Sequence, residues 1–177
     1  MQTKIYSIRD HHILSQLADI LQVGVSAVST YPQWREWYRR VFVPGLKRGE
    51  RKCIVVRDDK DTIAGFALIK KGNEENKICM LYVREAYRHK GVGTQLMQQA
   101  LQELGPHPVM TVAEPYLEAF RPLLKRFRFS LTCEIDGPYR PNQKEYLFND
   151  DRSQKVTCQN QLCMGRVKKV AYANSRV

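Results

Sequence analysis

Residues 88–94 read Arg-His-Lys-Gly-Val-Gly-Thr, three basic side chains followed by two glycines and a hydroxyl. That composition at that spacing is suited to holding an anion. Glycine leaves a backbone N–H with no Cβ over it, and where a helix starts at once its first amides stay unpaired at the positive end of the dipole. Such a turn binds phosphate. Two familiar phosphate loops do not fit. The Walker pattern needs Lys and then Ser or Thr straight after its last glycine, but Gly93 is followed by Thr94-Gln95; the dinucleotide fingerprint needs a third glycine where Leu96 stands.

The elements that must position this turn lie on either side of it. Residues Ile78 to Val83 are apolar on both parities, which predicts a strand covered on both faces. From Val92 the apolar positions Val92, Leu96, Ala100 and Leu104, reinforced by Met97 and Leu101, form a helical stripe. Gly105-Pro106 ends it.

The unit R-x-x-G-x-G, with Val83 five residues before Arg88 and an amphipathic helix after Gly93, resembles motif A of the GNAT superfamily of acetyl-coenzyme A-dependent N-acetyltransferases. Glu85 stands where that family often has Pro, and His89 where it often has its first Gly. The resemblance implies an α/β (α+β) fold, a mixed, mostly antiparallel central sheet of about six to seven strands flanked by about four helices. It implies acetyl-coenzyme A as cosubstrate and no metal. The amides of Arg88, His89, Lys90, Gly91, Val92, Gly93 and Thr94 would cradle the pyrophosphate, with the Thr94 hydroxyl as a further donor. The pantetheine arm would lie along Leu81, Tyr82 and Val83, where a main-chain N–H would polarise the thioester.

The rest of the chain follows the family plan. Lys4 to Arg9 alternates as a first strand, and after Asp10 the residues Ile13, Leu14, Leu17, Ile20 and Leu21 share a helical face that ends near Gly24 or continues with a kink towards Thr30. A second helix from Pro32 carries the stripe Trp34, Trp37, Tyr38, Val41 and Phe42. Cys53–Arg57 and Thr62–Lys70 read as a hairpin around Asp58-Asp59-Lys60-Asp61, and Gly65 marks a bulge or a close backbone approach. Pro108–Val112, Phe127–Ile135 and Glu145–Phe148 read as strands, with a helix from Tyr116 to Arg126 that Pro122 would kink. The expected division is a GNAT domain over 1–149 and a basic extension over 150–177.

Composition narrows the partners. The chain has 177 residues, 43% hydrophobic, and 29 Lys and Arg against 18 Asp and Glu, a formal net charge of +11. That charge favours acidic partners: coenzyme phosphates, RNA or acidic protein surfaces. Five cysteines, at 53, 79, 133, 158 and 163, make no metal set and read as reduced thiols. With neither a signal pattern nor an 18-residue apolar run, a cytoplasmic protein without a membrane partner is expected.

Acetyl transfer also needs an acid for the departing thiolate and a base for the amine. The family commonly places a Tyr in Y-E-K-x-G-F; the matching stretch here is Leu124-Lys125-Arg126-Phe127-Arg128-Phe129, so Leu124 replaces the Tyr and Arg128 the Gly. Tyr116 is the substitute acid, and Glu85, Glu114 and Tyr82 are the base candidates by chain position. In the family the segment between the first two strands borders the acceptor. By composition this helix reads as a core-facing aromatic stripe with a solvated basic face; the resemblance makes Trp34, Trp37 and Tyr38 candidate acceptor walls instead, and Arg35, Arg39 and Arg40 guides for an anionic acceptor. The acceptor is expected to be a primary amine on a protein or small molecule, with the amino group of aminoacyl-tRNA second. An acetyl-coenzyme A sensor without turnover is the competing reading, favoured by Leu124.

Overall fold

The computed structural model describes residues 1–6, 11–24, 31, 33–139 and 141–150. Expected features at Ser7–Asp10, Thr30, Pro32 and Arg140, the thiols Cys158 and Cys163, and the extension from residue 151 lie outside them. The chain groups into two compact units, Met1–Ile20 with Pro44–Pro108, and Leu21–Val43 with the chain from Val109. The fold class is α/β, with seven strands among the described residues.

In the first unit four strands pair antiparallel in sequence order: β1 (Gln2–Tyr6), β2 (Arg51–Arg57), β3 (Ile63–Lys70) and β4 (Lys77–Val83). Helix α1 (His11–Gly24) buries Ile13, Leu14 and Leu17. The β2–β3 turn is tied by Asp58, whose Oδ1 accepts the N–H groups of Lys60 at 2.9 Å and Thr62 at 2.8 Å. Gly65 has both of its expected features. The β2–β3 register shifts between Val56 and Arg57, beside Gly65, and a Cβ on Gly65 would lie 2.6 Å from the Tyr82 carbonyl oxygen and 3.0 Å from Val92 Cγ1. The missing side chain lets the helix over the sheet approach β3 closely.

Strands β3 and β4 differ in a way their sequences do not announce. Strand β3 is buried from Ile63 to Ile69, as its continuous apolar run predicts. Strand β4 was expected to be covered on both faces, yet only Ile78 is buried and Leu81, Tyr82 and Val83 remain half-buried. Apolar residues on both parities are consistent with two covered faces, but they do not require that protein atoms do the covering.

In the second unit β7 (Lys144–Phe148) lies between β5 (Val109–Ala113) and β6 (Leu131–Asp136), antiparallel to both. Its core includes Val109, Cys133, Ile135 and Leu147. Helix α2 (Trp34–Trp37) runs into a π-helical turn (Tyr38–Phe42); α3 (Val43–Lys47) belongs to the first unit from Pro44 on. Helix α5 (Leu117–Arg126) keeps Pro122 inside it, a proline expected to kink or interrupt it.

The predicted strand over Phe127–Ile135 starts four residues later, at Leu131. The reason is the helix terminus: Phe127 donates to the Leu123 carbonyl at 3.1 Å, Phe129 to the Leu124 carbonyl at 2.9 Å, and Arg128 takes the left-handed conformation at φ 56°. Asp150, placed beyond the domain boundary by the sequence, is buried and donates its N–H to Thr132 Oγ1 at 3.1 Å. No helix among the described residues is long and apolar enough to cross a membrane.

Candidate active site

The turn after β4 is built from the backbone outward. Arg84 donates its N–H to the Ala64 carbonyl on β3 at 3.0 Å, and a 3₁₀ turn (Glu85–Tyr87) follows. The Arg88 N–H closes that turn on the Glu85 carbonyl at 3.1 Å. Of the seven amides expected to face phosphate, the one at Arg88 is therefore already engaged. His89 and Gly91 both take positive φ, 60° and 81°, and helix α4 (Val92–Leu104) starts at once. Its first helical bond runs from Gln95 N–H to the Gly91 carbonyl at 3.0 Å, and no side chain caps the N-terminus. The N–H groups of Val92, Gly93 and Thr94 precede that bond.

Side chains around the turn leave the approach clear. Val92, 1% exposed, pins the helix start with Leu96, Met97, Ala100 and Leu104 behind it. Arg88, His89, Lys90 and Gly91 are exposed. A Cβ on Gly91 would meet no atom within 4 Å, and one on Gly93 would meet only Val83 Cγ2 at 3.8 Å. An uncapped helix N-terminus behind a bare glycine turn fits a pyrophosphate.

Sequence reasoning missed the brace beneath this turn. The Tyr87 hydroxyl donates to Asp58 Oδ2 at 2.6 Å, joining the β2–β3 turn to the 3₁₀ turn, and Lys90 Nζ lies 5.8 Å from the Tyr87 ring centroid. The bond from Tyr87, then the backbone bond from Thr62, hold the Asp58 carboxyl below its ordinary range; the same bond from Asp58 raises the Tyr87 phenol. Asp58 could be read from the sequence as a turn residue, but its second oxygen's partner 29 residues on could not.

A second cluster lies in the other unit. The Tyr31 hydroxyl donates to Glu145 Oε2 at 3.5 Å, and the Tyr31 and Tyr139 rings meet edge to face with centroids 5.1 Å apart. Burial, followed by the Glu145 charge, raises the Tyr31 phenol well above its ordinary value, and Tyr139 and Tyr116 add to the effect. Glu145 is 2% exposed, while the three tyrosines are half-buried. Of these four residues only Tyr116 was singled out by sequence.

The profile of the "Acetyltransferase (GNAT) family" matches residues 14–121. The chain belongs to the GNAT acetyltransferase family. This is a family of acyltransferases whose cosubstrate is acetyl-coenzyme A. Among solved structures the chain is similar to an aminoglycoside 6'-N-acetyltransferase complexed with coenzyme A (12% identity, TM-score 0.63, covering 84% of this chain and 95% of that one). It is also similar to a histone-acetyltransferase-related acetyltransferase from Corynebacterium glutamicum (14%, TM-score 0.60, 84% and 96%). A GNAT-family acetyltransferase from Bacillus cereus gives 16%, TM-score 0.56, 84% and 96%. At these identities the likeness is one of fold. The chain covers 65% of the nourseothricin acetyltransferase structure, at 22% identity and TM-score 0.47. No curated protein sequence matches.

The remaining candidates fall out unevenly. Leu124, at the family's usual Tyr position, is an ordinary core residue, 4% exposed. Arg128, at the usual Gly position, holds the left-handed backbone that glycine adopts more cheaply. Trp34 and Tyr38, candidate acceptor walls, are each only 6% exposed and are packed against neighbouring rings, Trp34 on Tyr38 and Tyr38 stacked on Phe42 at 5.6 Å. Trp37 is half-buried beside Phe42. Two of the arginine guides are engaged locally: Arg35 lies over the Trp34 ring at 5.8 Å and Arg40 pairs with Glu36 at 3.2 Å. Tyr82 packs against Phe66, Glu85 is exposed, and Glu114 accepts the Lys144 N–H at 3.4 Å.

Proposed function

We propose that this GNAT protein moves the acetyl group of acetyl-coenzyme A onto a primary amine of a protein or small molecule by direct attack. The observation that carries the reading is the uncapped start of α4 behind an exposed Gly91 at φ 81°, in a chain of this family. Relatives in fold include proteins named as an aminoglycoside 6'-N-acetyltransferase and an aminoglycoside 6'-acetyltransferase, the first of which points to a nitrogen acceptor.

When bound, the coenzyme supplies the thioester: the neutral amine nitrogen forms a bond to the carbonyl carbon, the C–S bond breaks, and the nitrogen's proton balances the released thiol. The protein's part is positional. The amides of Val92, Gly93 and Thr94, with the cations at 88–90, hold the pyrophosphate. The backbone of Leu81–Val83, on the strand left half-open, receives the pantetheine arm. Tyr116 is the proposed proton donor to the thiolate and Glu85 the proposed acceptor from the amine. A thiol leaves more readily than an alcohol, its pKa being ~8.5, so loss of the acid slows the reaction rather than ending it.

Free-thiol release over a panel of alkylamines, lysine peptides and aminoacylated RNA tests the reading. Turnover with an amine supports it; saturable acetyl-coenzyme A binding without thiol release from any acceptor replaces it with the sensor, which buried Leu124 favours. RNA ranks second as acceptor, and no relative lends it support.

A further inference from the structure

We propose that Tyr87 is a positioning residue for coenzyme binding: by tying the 3₁₀ turn to Asp58 it holds the amides of Val92, Gly93 and Thr94, and the Lys90 ammonium, in place for a pyrophosphate. It acts through the turn and not as a contact. This rests on the reading of residues 88–94 as the coenzyme cradle and adds what keeps that cradle in shape.

The run from 85 to 91 has little of its own to hold it. Glu85, Ala86, Arg88, His89, Lys90 and Gly91 are exposed, and Tyr87 alone in that run is half-buried. Backbone bonds fix only its first part: Arg84 donates to the Ala64 carbonyl, Tyr87 to the Arg84 carbonyl at 2.8 Å and Arg88 to the Glu85 carbonyl. The chain then passes through two left-handed residues, His89 and Gly91, before the first bond of α4 at Gln95. His89 carries a Cβ in that conformation, a cost that the surrounding structure has to impose.

The Tyr87 side chain reaches two partners that can impose it. Its hydroxyl donates to Asp58 Oδ2 at 2.6 Å, across 29 residues of sequence. Asp58 is a fixed anchor, because its Oδ1 accepts the N–H groups of Lys60 and Thr62 and its own N–H donates to the Thr62 carbonyl at 2.9 Å. The Tyr87 bond keeps the Asp58 carboxyl below its ordinary range, so the acceptor is charged and the bond is of the stronger kind. The Tyr87 ring has the Lys90 ammonium 5.8 Å from its centroid, within reach of the attraction between a cation and an aromatic face. One side chain therefore anchors the chain ahead of the two left-handed residues and steadies the cation between them. A site held in its bound shape before the ligand arrives loses less freedom on binding and binds more tightly.

The test uses the full chain and calorimetry with coenzyme A and with ADP, which carries a pyrophosphate but no pantetheine. Tyr87→Phe, which keeps the ring, should raise both dissociation constants about threefold to fivefold, the scale of one hydrogen bond acting indirectly. Tyr87→Leu, which also removes the ring beside Lys90, should raise them about tenfold. Asp58→Asn should weaken binding in the wild type and add nothing in the Tyr87→Phe background, as two partners of one bond do. Without ligand, hydrogen exchange over residues 84–92 should quicken in Tyr87→Phe while β2 and β3 keep their wild-type protection. In the thiol-release assay the KM for acetyl-coenzyme A should rise with kcat unchanged, and kcat/KM for acetyl-pantetheine, which lacks the pyrophosphate, should not move.

Unchanged affinities in Tyr87→Phe and Tyr87→Leu, with Gly91→Asp still weakening coenzyme binding, overturn the positioning role and leave the cradle standing. An equal loss with acetyl-pantetheine also overturns it, since the damage would then be general. Retained coenzyme affinity in Gly91→Asp removes the cradle itself, and the positioning role with it. If no amine is turned over, the transfer reading fails, and calorimetry and hydrogen exchange decide the role of Tyr87. Should Tyr87→Phe fail to fold by circular dichroism, Asp58→Asn carries the same comparison.

Discussion

The glycine turn at 88–94 and the tyrosine–carboxylate cluster are built by opposite means. The turn is a run of consecutive residues that presents the amides of Val92, Gly93 and Thr94 at an uncapped helix start, so what matters at 91 and 93 is the absence of a side chain. The cluster takes one residue each from positions 31, 116, 139 and 145 and is held by the side chains themselves. A backbone site tolerates varied neighbours, as Glu85 and His89 show by departing from the usual family pattern, but it does not tolerate a Cβ with charge. A side-chain site is sensitive at every member.

The sharpest way to break this comparison is Gly91→Asp. An aspartate at φ 81° is strained and sets a carboxylate against phosphate, so acetyl-coenzyme A affinity should fall by about two orders of magnitude or more. Calorimetry reads the loss, and circular dichroism should show the fold unchanged. Retained coenzyme affinity would remove the backbone cradle from consideration.

Gly65→Ala attacks the same region from beneath. Its Cβ would fall 2.6 Å from the Tyr82 carbonyl oxygen, a backbone atom that cannot swing aside, and overpacking of this kind costs about 1–3 kcal/mol. Urea denaturation should show the loss, together with weaker coenzyme binding because α4 no longer seats on β3. A neutral result would mean that the helix has slack to move outward.

Tyr87→Phe sharpens the comparison by removing a side-chain brace from the backbone site. We expect a roughly threefold to fivefold rise in the dissociation constant for acetyl-coenzyme A, the scale of one lost hydrogen bond acting indirectly. The brace carries a pH signature. Its bond holds the folded Asp58 carboxyl below the unfolded value of ~3.9, so the stability it adds is fully present above that value and is lost as pH falls through the folded one. Melting temperatures of wild type and Tyr87→Phe should differ at neutral pH and converge in acid. A gap that persists unchanged in acid would assign the effect to ring packing.

The smallest effect belongs to the second unit, at a position where local backbone geometry again decides. Arg128 sits at φ 56° where glycine is at home, so Arg128→Gly should stabilise by roughly 0.5–1 kcal/mol and raise the melting temperature by about 1–4 °C. A destabilised variant would show that the arginine side chain contributes more than its backbone costs.

Sequence by itself determined the features that rest on neighbours in the chain. The run from Ile78 to Leu104 was legible because an apolar strand, a glycine turn and a 3.6-residue stripe are local patterns, and they held the family resemblance too. The hairpin around Asp58, the helix end at Leu104, and the close approach at Gly65 were legible for the same reason. Tertiary structure alone decided the rest. That Tyr31 reaches Glu145 depends on chain return over 114 residues, and no periodicity encodes it. The half-open face of β4 was likewise invisible, because apolar residues on both parities say that a face will be covered and not by what. Local geometry is written residue by residue; the meeting of distant side chains is set only when the packed chain brings its elements together.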